Sequence, residues 1–193
     1  MDGLIQLIVL FFVIFDPFAS AMVFVSATRN MKSKDMVKVG IYATLVAMSV
    51  SAIFLLFGNT FLTLFNTDMN DIKIAGGILL GILGVKMALG YNIVEDETKS
   101  GNSSNMAVAS LIGTPLLTGP AAITTILITT HDYGMLSTGI AIFAVLLFAG
   151  LIFFILSKFA HKIKQTPIQV ISTILGLITL AWGINFIRTG LGF

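Results

Sequence analysis

Six apolar stretches divide the chain, and each is long enough to cross a lipid bilayer as a helix. They are Leu4–Thr28, Val39–Phe65, Ile72–Gly90, Ala107–Thr130, Ser137–Ser157 and Ile168–Thr189. Only 10% of the residues are charged, whereas a water-soluble domain carries about 25%. Because the chain has too few polar atoms to cover a water-facing surface, the sequence predicts an all-α membrane protein with six transmembrane helices, embedded in the lipid bilayer of the cell membrane.

The connections between the stretches are short, and the longest, Tyr91–Asn105, is polar and rich in Ser, Gly and Asn. It reads as a flexible connector. We therefore expect a single transmembrane domain over residues 1–193, with a first repeat over about 1–90, a connector at 91–105 and a second repeat over about 106–193.

The basic residues are distributed unevenly between the two sides of this arrangement. The first, third and fifth connections carry nine of them, whereas the opposite side carries Lys73 and Arg188 only. The nine are Arg29, Lys32, Lys34, Lys38, Lys86, Lys99, Lys158, Lys162 and Lys164. Since Lys and Arg favour cytoplasmic loops, the pattern predicts a multi-pass protein with both termini outside.

Several function classes find no support in the sequence. A net charge of +2 gives no basic footprint for nucleic acid, and the absence of cysteine excludes disulfides and thiolate chemistry. Neither a His-Glu-x-x-His metal helix nor a phosphate-binding Gly-rich loop is present. We expect no cofactor, no metal centre and no enzymatic activity, and His131 and His161 are expected to be solvated in loops. The sequence leaves the oligomeric state open.

The two halves of the chain resemble each other. Each places a proline near the middle of its first span, Pro17 in one half and Pro120 in the other. The third and sixth spans begin with similar patterns, Ile72–Leu79 and Ile168–Leu175. Because three spans per half force the second half to enter from the opposite face, we predict two inverted three-helix repeats, an architecture common among transporters.

Asp16 is the residue most indicative of function. The chain has nine acidic residues, and the other eight lie in loops or near the N-terminus. Asp16 falls near the bilayer centre, where a carboxylate costs about 2.5–3.5 kcal/mol on insertion scales. It either caps a helix or binds a substrate, a proton or a sodium ion, and the two roles are compatible.

Two helix-start signals lie at mid-membrane. Asp16-Pro17 and Thr118-Gly119-Pro120 both place proline where a first helical turn accepts it. We predict that the first and fourth helices break there, so that two helix N-termini meet and can hold a carboxylate. The alternative is a pair of ordinary proline kinks.

Small and hydroxylated residues surround the two signals. As substrate-binding candidates we take the residues of both segments together with one polar residue of the sixth span. They are Asp16, Pro17, Ala19, Ser20, Thr118, Gly119, Pro120, Thr124 and Asn185. The alternative for the small residues is close helix packing, which is also our interpretation of Gly76, Gly77, Gly81 and Gly84.

Three segments carry a family resemblance when taken in order. They are Phe12-x-x-Phe15-Asp16-Pro17, Lys73-Ile-Ala-Gly76-Gly77-Ile-Leu79 and Pro115-Leu-Leu-Thr118-Gly119-Pro120-Ala-Ala-Ile-Thr124-Thr125. The sequence resembles the MarC family of integral membrane proteins, within the LysE-like superfamily, over nearly its whole length. The resemblance implies the activity of the SnatA-like branch, which moves small neutral amino acids such as glycine and alanine.

Two departures from the family pattern bear on the substrate. Family members often have glycine after the Asp-Pro segment and after the second proline, where this chain has Phe18-Ala19-Ser20 and Ala121. The larger residues reduce the space beside the breaks. The sequence thus favours a secondary transporter of small neutral amino acids coupled to H⁺ or Na⁺. The alternatives are an exporter of another small solute, a non-transporting membrane scaffold or regulator, and an intramembrane enzyme.

Overall fold

A computed structural model describes residues 2–28, 31–64, 66–89, 117–159 and 166–192. These residues form seven α-helices and, over the same ranges, no β-strand. The helices are α1 (Asp2–Phe15), α2 (Pro17–Thr28), α3 (Ser33–Leu64), α4 (Met69–Ala88), α5 (Pro120–Tyr133), α6 (Met135–Phe159) and α7 (Thr166–Gly190). The predicted connector at 91–105 lies outside the described residues.

Four stretches are long and apolar enough to cross a membrane. They are Gly3–Val25, which runs through α1 and α2, together with Ser33–Gly58, Met135–Lys158 and Thr173–Gly190. They correspond to the first, second, fifth and sixth predicted spans.

The third and fourth predicted spans are not among these four stretches. The third is a continuous helix, α4, whose 20 residues include the charged Asp71, Lys73 and Lys86. Of the fourth, the structure describes only the last part, as Leu117–Gly119 and α5. The described chain therefore supports an all-α protein with four spans, and six spans remain a prediction.

The helices α3 and α6 pack side by side in opposite directions. Gly40 near the start of α3 faces Phe153 near the end of α6, and Leu55 faces Gly139 near the start of α6. Between these points Gly150 contacts Thr44. The residue numbers of α6 fall along these contacts as those of α3 rise, so the two helices are antiparallel.

The helices α4 and α7 form a second antiparallel pair, which glycines bring into close contact. A Cβ on Gly77 would lie 2.5 Å from the carbonyl oxygen of Gly183, and a Cβ on Gly84 would lie 2.5 Å from the amide nitrogen of Leu180. Such distances leave no space for a side chain. The close packing predicted for the glycines of the third span is thereby confirmed at Gly77 and Gly84.

The interrupted first span lies at the centre of the molecule. Of the span Gly3–Val25, 65% is buried, against 22% of Thr173–Gly190. Both α1 and α2 pack against α6, where the ring of Phe24 stacks on Phe153 with centroids 4.8 Å apart. The centre of the protein is therefore built around the helix interruption, and α7 lies at the periphery.

Contacts between helix ends define two opposite ends of the molecule. At one end, the Ser33 hydroxyl donates a hydrogen bond of 2.7 Å to the Ser157 carbonyl oxygen. At the other, Gly3 lies beside Tyr133, and Gly190 lies beside Lys73. The first and fifth connections thus begin from the same end, as the predicted topology requires.

Candidate functional site

The first span is interrupted at Asp16. Helix α1 ends at Phe15, α2 begins at Pro17, and Asp16 between them has a φ of 35°. This left-handed conformation is uncommon for residues other than glycine, and Asp and Asn adopt it more readily than most. The predicted break in the first helix is therefore present in the structure.

The Asp16 carboxylate caps the helix that follows it. Its Oδ1 accepts a hydrogen bond of 3.1 Å from the Ala19 amide, and its carbonyl oxygen accepts one of 3.0 Å from the Ser20 amide. The Ser20 hydroxyl donates to the Phe15 carbonyl oxygen at 3.2 Å. Asp16, Ala19 and Ser20 are thus held together around Pro17, the first residue of α2.

The Asp16 turn is enclosed by protein. Asp16 is 5% exposed and Ser20 1% exposed. On the preceding turns the buried rings of Phe11 and Phe15 stack with centroids 5.5 Å apart. A carboxylate in such surroundings requires hydrogen bonds or a cation, and the Ala19 amide supplies one of these bonds.

The second predicted helix start is also present, since α5 begins at Pro120. Gly119 precedes it in an extended conformation, and its carbonyl oxygen accepts from the amides of Ala122 and Ile123 at 2.9 and 3.0 Å. The N-cap residue is Gly119, which contributes no side-chain hydrogen bond to this helix. Thr118, just before Gly119, is 1% exposed. Gly119 and Pro120 thus form a helix N-terminus without a carboxylate of its own.

The hydroxyl of Thr124 bonds within its own helix. It donates to the carbonyl oxygens of Pro120 and Ala121 at 3.1 and 3.0 Å. The same side chain faces α4, where a Cβ on Gly76 would lie 2.7 Å from the Thr124 hydroxyl. Thr124 therefore fixes the contact between α4 and α5 and can offer a ligand only its oxygen lone pairs.

Asn185 lies on α7, where it lines an open hollow of about 360 Å³. The other described residues lining this hollow also belong to α7; they are Leu177, Ile178, Ala181 and Trp182. The hydrogen bonds at Asp16 and at Gly119 described above do not include Asn185. The structure therefore places this candidate on an open surface.

A cluster of charged side chains where the start of α4 meets the end of α5 was not predicted from the sequence. Lys73 Nζ lies 3.0 Å from Asp132 Oδ2, and His131 Nδ1 lies 2.8 Å from Asp132 Oδ1. Burial raises the pKa of Asp132, but hydrogen bonds and charge from His131 and Lys73 outweigh it and lower the pKa. The expectation that His131 lies in a loop is wrong, because it belongs to the last turn of α5. Its side chain is 56% exposed, as expected, and contacts Asp132.

Comparison with known proteins identifies relatives along the whole chain. The sequence profile of the family described as "MarC family integral membrane protein" matches residues 1–192. The chain is 33% identical over 190 residues to the UPF0056 membrane protein YhcE of Escherichia coli, covering 93% of this chain and 87% of that protein.

More distant relatives extend the similarity to the archaea. The UPF0056 membrane protein MJ1677 of Methanocaldococcus jannaschii is 27% identical over 187 residues, with 93% and 91% coverage. The UPF0056 inner membrane protein YhgN of Escherichia coli is 25% identical over 199 residues, with 99% and 97% coverage. No solved structure matches the chain.

Proposed function

We propose that this chain, which belongs to the MarC family of integral membrane proteins, is a secondary transporter of small neutral amino acids. Family membership confirms the resemblance seen in the three sequence segments. The observation that carries the proposal is the Asp16 turn, a buried carboxylate in a left-handed conformation at an interruption of the most enclosed span. Interrupted helices at this depth are a recurrent way of forming solute and ion sites in transporters.

The two helix starts suggest how an amino acid would be held. At α2 the Asp16 carboxylate already accepts from the Ala19 amide, so a negative charge already interacts with the N-terminal end of this helix dipole. At α5 the N-cap residue is Gly119, which has no carboxylate to play that part. We therefore assign the substrate carboxylate to the start of α5 at Gly119-Pro120, and the substrate ammonium to Asp16.

The small residues at both starts favour a small substrate. Ala19 follows the Asp16 turn and Ala121 follows Pro120, so both occupy more space than the glycine common in the family. We also assign the hydroxyl oxygens of Ser20 and Thr118 to the substrate site; both residues are buried, at 1% exposed. Glycine and alanine, which carry no more than a methyl group, are the substrates that we propose.

Coupling to an ion is assigned to Asp16 in the same scheme. A carboxylate that exchanges a substrate ammonium for H⁺ or Na⁺ would link the movement of the two without any ATP-binding element. The role is one of binding, and we propose no catalytic step.

The packing of the helices supports the inverted-repeat part of the proposal. The second predicted span pairs with the fifth as α3 with α6, and the third pairs with the sixth as α4 with α7. Both pairs are antiparallel. A two-fold axis in the membrane plane would pair equivalent helices in this way. We propose two inverted three-helix repeats in the cell membrane, with both termini outside.

Uptake by proteoliposomes tests the proposal. Purified protein in vesicles should accumulate labelled glycine or alanine when a proton or sodium gradient is imposed. Asp16→Asn should reduce uptake by about 30-fold or more, because a buried charged partner is lost. Asn both caps helices and tolerates the left-handed region, so this variant removes the charge and preserves the turn.

Asp35→Asn provides the matched control, since Asp35 lies in the first turn of α3 and pairs only with the exposed Lys38 at 3.6 Å among the described residues. It should transport as well as the wild type. Normal uptake by Asp16→Asn would refute the role of Asp16. Absence of uptake by the wild type, across both amino acids and both gradients, would refute transport of this substrate class.

A further inference from the structure

We propose that the end of the α3–α6 pair marked by Ser33 and Ser157 is a binding surface for anionic phospholipid headgroups. The surface, called here the lysine face, consists of Lys32, Lys34, Lys38 and Lys158. It lies apart from the Asp16 turn, and the inference does not depend on what the protein transports.

A single hydrogen bond brings the lysines of two helices to one edge. The Ser33 hydroxyl donates to the Ser157 carbonyl oxygen at 2.7 Å. Lys32 and Lys34 flank Ser33 at the start of α3, and Lys158 follows Ser157 near the end of α6. Residues 124 positions apart in the chain therefore contribute to one cationic surface.

The lysine face carries an excess of positive charge. All four lysines are exposed, and the acidic side chain paired with one of them is Asp35, 3.6 Å from Lys38. Within the described ranges, the other three have no carboxylate partner. Lys73 at the opposite end differs, because Asp132 holds it at 3.0 Å. The lysine face is thus able to attract an external anion.

The position of Lys158 indicates that this anion belongs to a lipid. Its Nζ lies 4.4 Å from the centre of the Phe154 ring, and Phe154 is 42% exposed within the span Met135–Lys158. A ring exposed on a membrane span contacts acyl chains, and an ammonium one turn beyond it lies at headgroup level. A phosphate joined to an acyl chain matches both features, whereas a free phosphate matches only the charge.

Lipid binding to the full-length protein can be measured by native mass spectrometry in neutral detergent. Phosphatidylglycerol should bind more tightly than phosphatidylcholine. The triple variant Lys32→Gln, Lys34→Gln, Lys158→Gln should bind phosphatidylglycerol about 100-fold more weakly, at about fivefold per lysine. The corresponding triple arginine variant should retain the affinity. Arg188→Gln, which removes an exposed cation at the opposite end, should also leave it unchanged.

Three results would overturn the inference. The first is unchanged phosphatidylglycerol affinity in the triple glutamine variant when its circular dichroism matches the wild type. The second is equal affinity of the wild type for the two lipids. The third is displacement of phosphatidylglycerol by an equal concentration of inorganic phosphate, which would identify a site for the free ion. Should the triple glutamine variant misfold, the arginine variant and Arg188→Gln still decide: loss of affinity in either contradicts the proposal.

Discussion

The helix starts at Asp16-Pro17 and at Gly119-Pro120 both place proline in the first turn, but their free amides are satisfied differently. At the first, the side chain of the preceding residue accepts from the Ala19 amide at 3.1 Å. At the second, the preceding residue is Gly119, which has no side chain, and its carbonyl oxygen accepts from the amides of Ala122 and Ile123. Two similar sequence signals thus produce one helix end with its own anion and one without, and a site for a zwitterion needs both kinds.

The largest loss of uptake should follow when the acidic residue that precedes the first proline is introduced before the second. Gly119→Asp would place a carboxylate at the uncapped end of α5, in an extended conformation that any residue can adopt. If that end holds the substrate carboxylate, uptake should fall about 100-fold, equivalent to roughly 3 kcal/mol. Gly119→Asn, a neutral cap of the same size, is the control. Equal uptake by the two variants would show that charge at this end is irrelevant.

Glycines on both α4 and α7 allow the close contact between these two helices. Gly84→Ala and Gly176→Ala should each destabilise the protein by about 2 kcal/mol. The added Cβ would lie 2.5 Å from the Leu180 amide nitrogen in one case and 2.7 Å from the Ala88 amide nitrogen in the other. Unfolding in mild detergent measures the cost. Gly81→Ala, whose Cβ would meet nothing within 4 Å, should cost little.

The Asp16 turn itself should depend on side-chain chemistry. Asp16→Ala removes the cap, worth about 1 kcal/mol, and leaves a residue ill suited to the left-handed region, which costs about 1 kcal/mol more. Asp16→Asn should cost less than 1 kcal/mol, because it keeps both properties. Equal losses in unfolding free energy for the two variants would contradict the capping geometry.

The smallest effect is expected at the ion pair between Lys73 on α4 and Asp132 on α5. Lys73→Met should cost about 0.5–1 kcal/mol at pH 7, since the pair with Asp132 is partly exposed. The pKa of Asp132 lies below its ordinary value of 3.8. The ion pair therefore stabilises the folded protein fully at pH values above 3.8. This stabilisation is lost as the pH falls through the lowered pKa of Asp132. The difference in unfolding free energy between wild type and variant should shrink at pH 3; a constant difference would mean that packing, not charge, is responsible.

Local chemistry explains which parts of the fold could be predicted. The Asp16-Pro17 and Gly119-Pro120 signals determine helix starts through residues adjacent in the chain, and the structure places α2 and α5 at those prolines. Hydropathy likewise located the first, second, fifth and sixth spans. It was least informative for the third, because α4 carries Asp71, Lys73 and Lys86 within its 20 residues.

Contacts between distant residues were not predictable from the sequence. The hydrogen bond between Lys73 and Asp132 joins residues 59 positions apart, and no local pattern connects them. His131 was assigned to a loop for a different reason, because α5 continues beyond the apolar stretch as far as Tyr133. The left-handed conformation of Asp16 also had no signal beyond the residue type. Asn185 was selected for its polarity within a span, but which surface it faces depends on how α7 packs.

The length of α3 has a consequence for how the protein sits in its bilayer. Its 32 residues measure about 48 Å at 1.5 Å per residue, whereas the hydrocarbon core is about 30 Å thick. The helix must lean away from the bilayer normal, extend its charged first turns or its Leu64 end beyond the hydrocarbon, or combine these. Since α6 runs alongside it, leaning would incline the two together. The thickness of the surrounding lipid would then set the inclination of this pair relative to the interrupted span, which packs against α6.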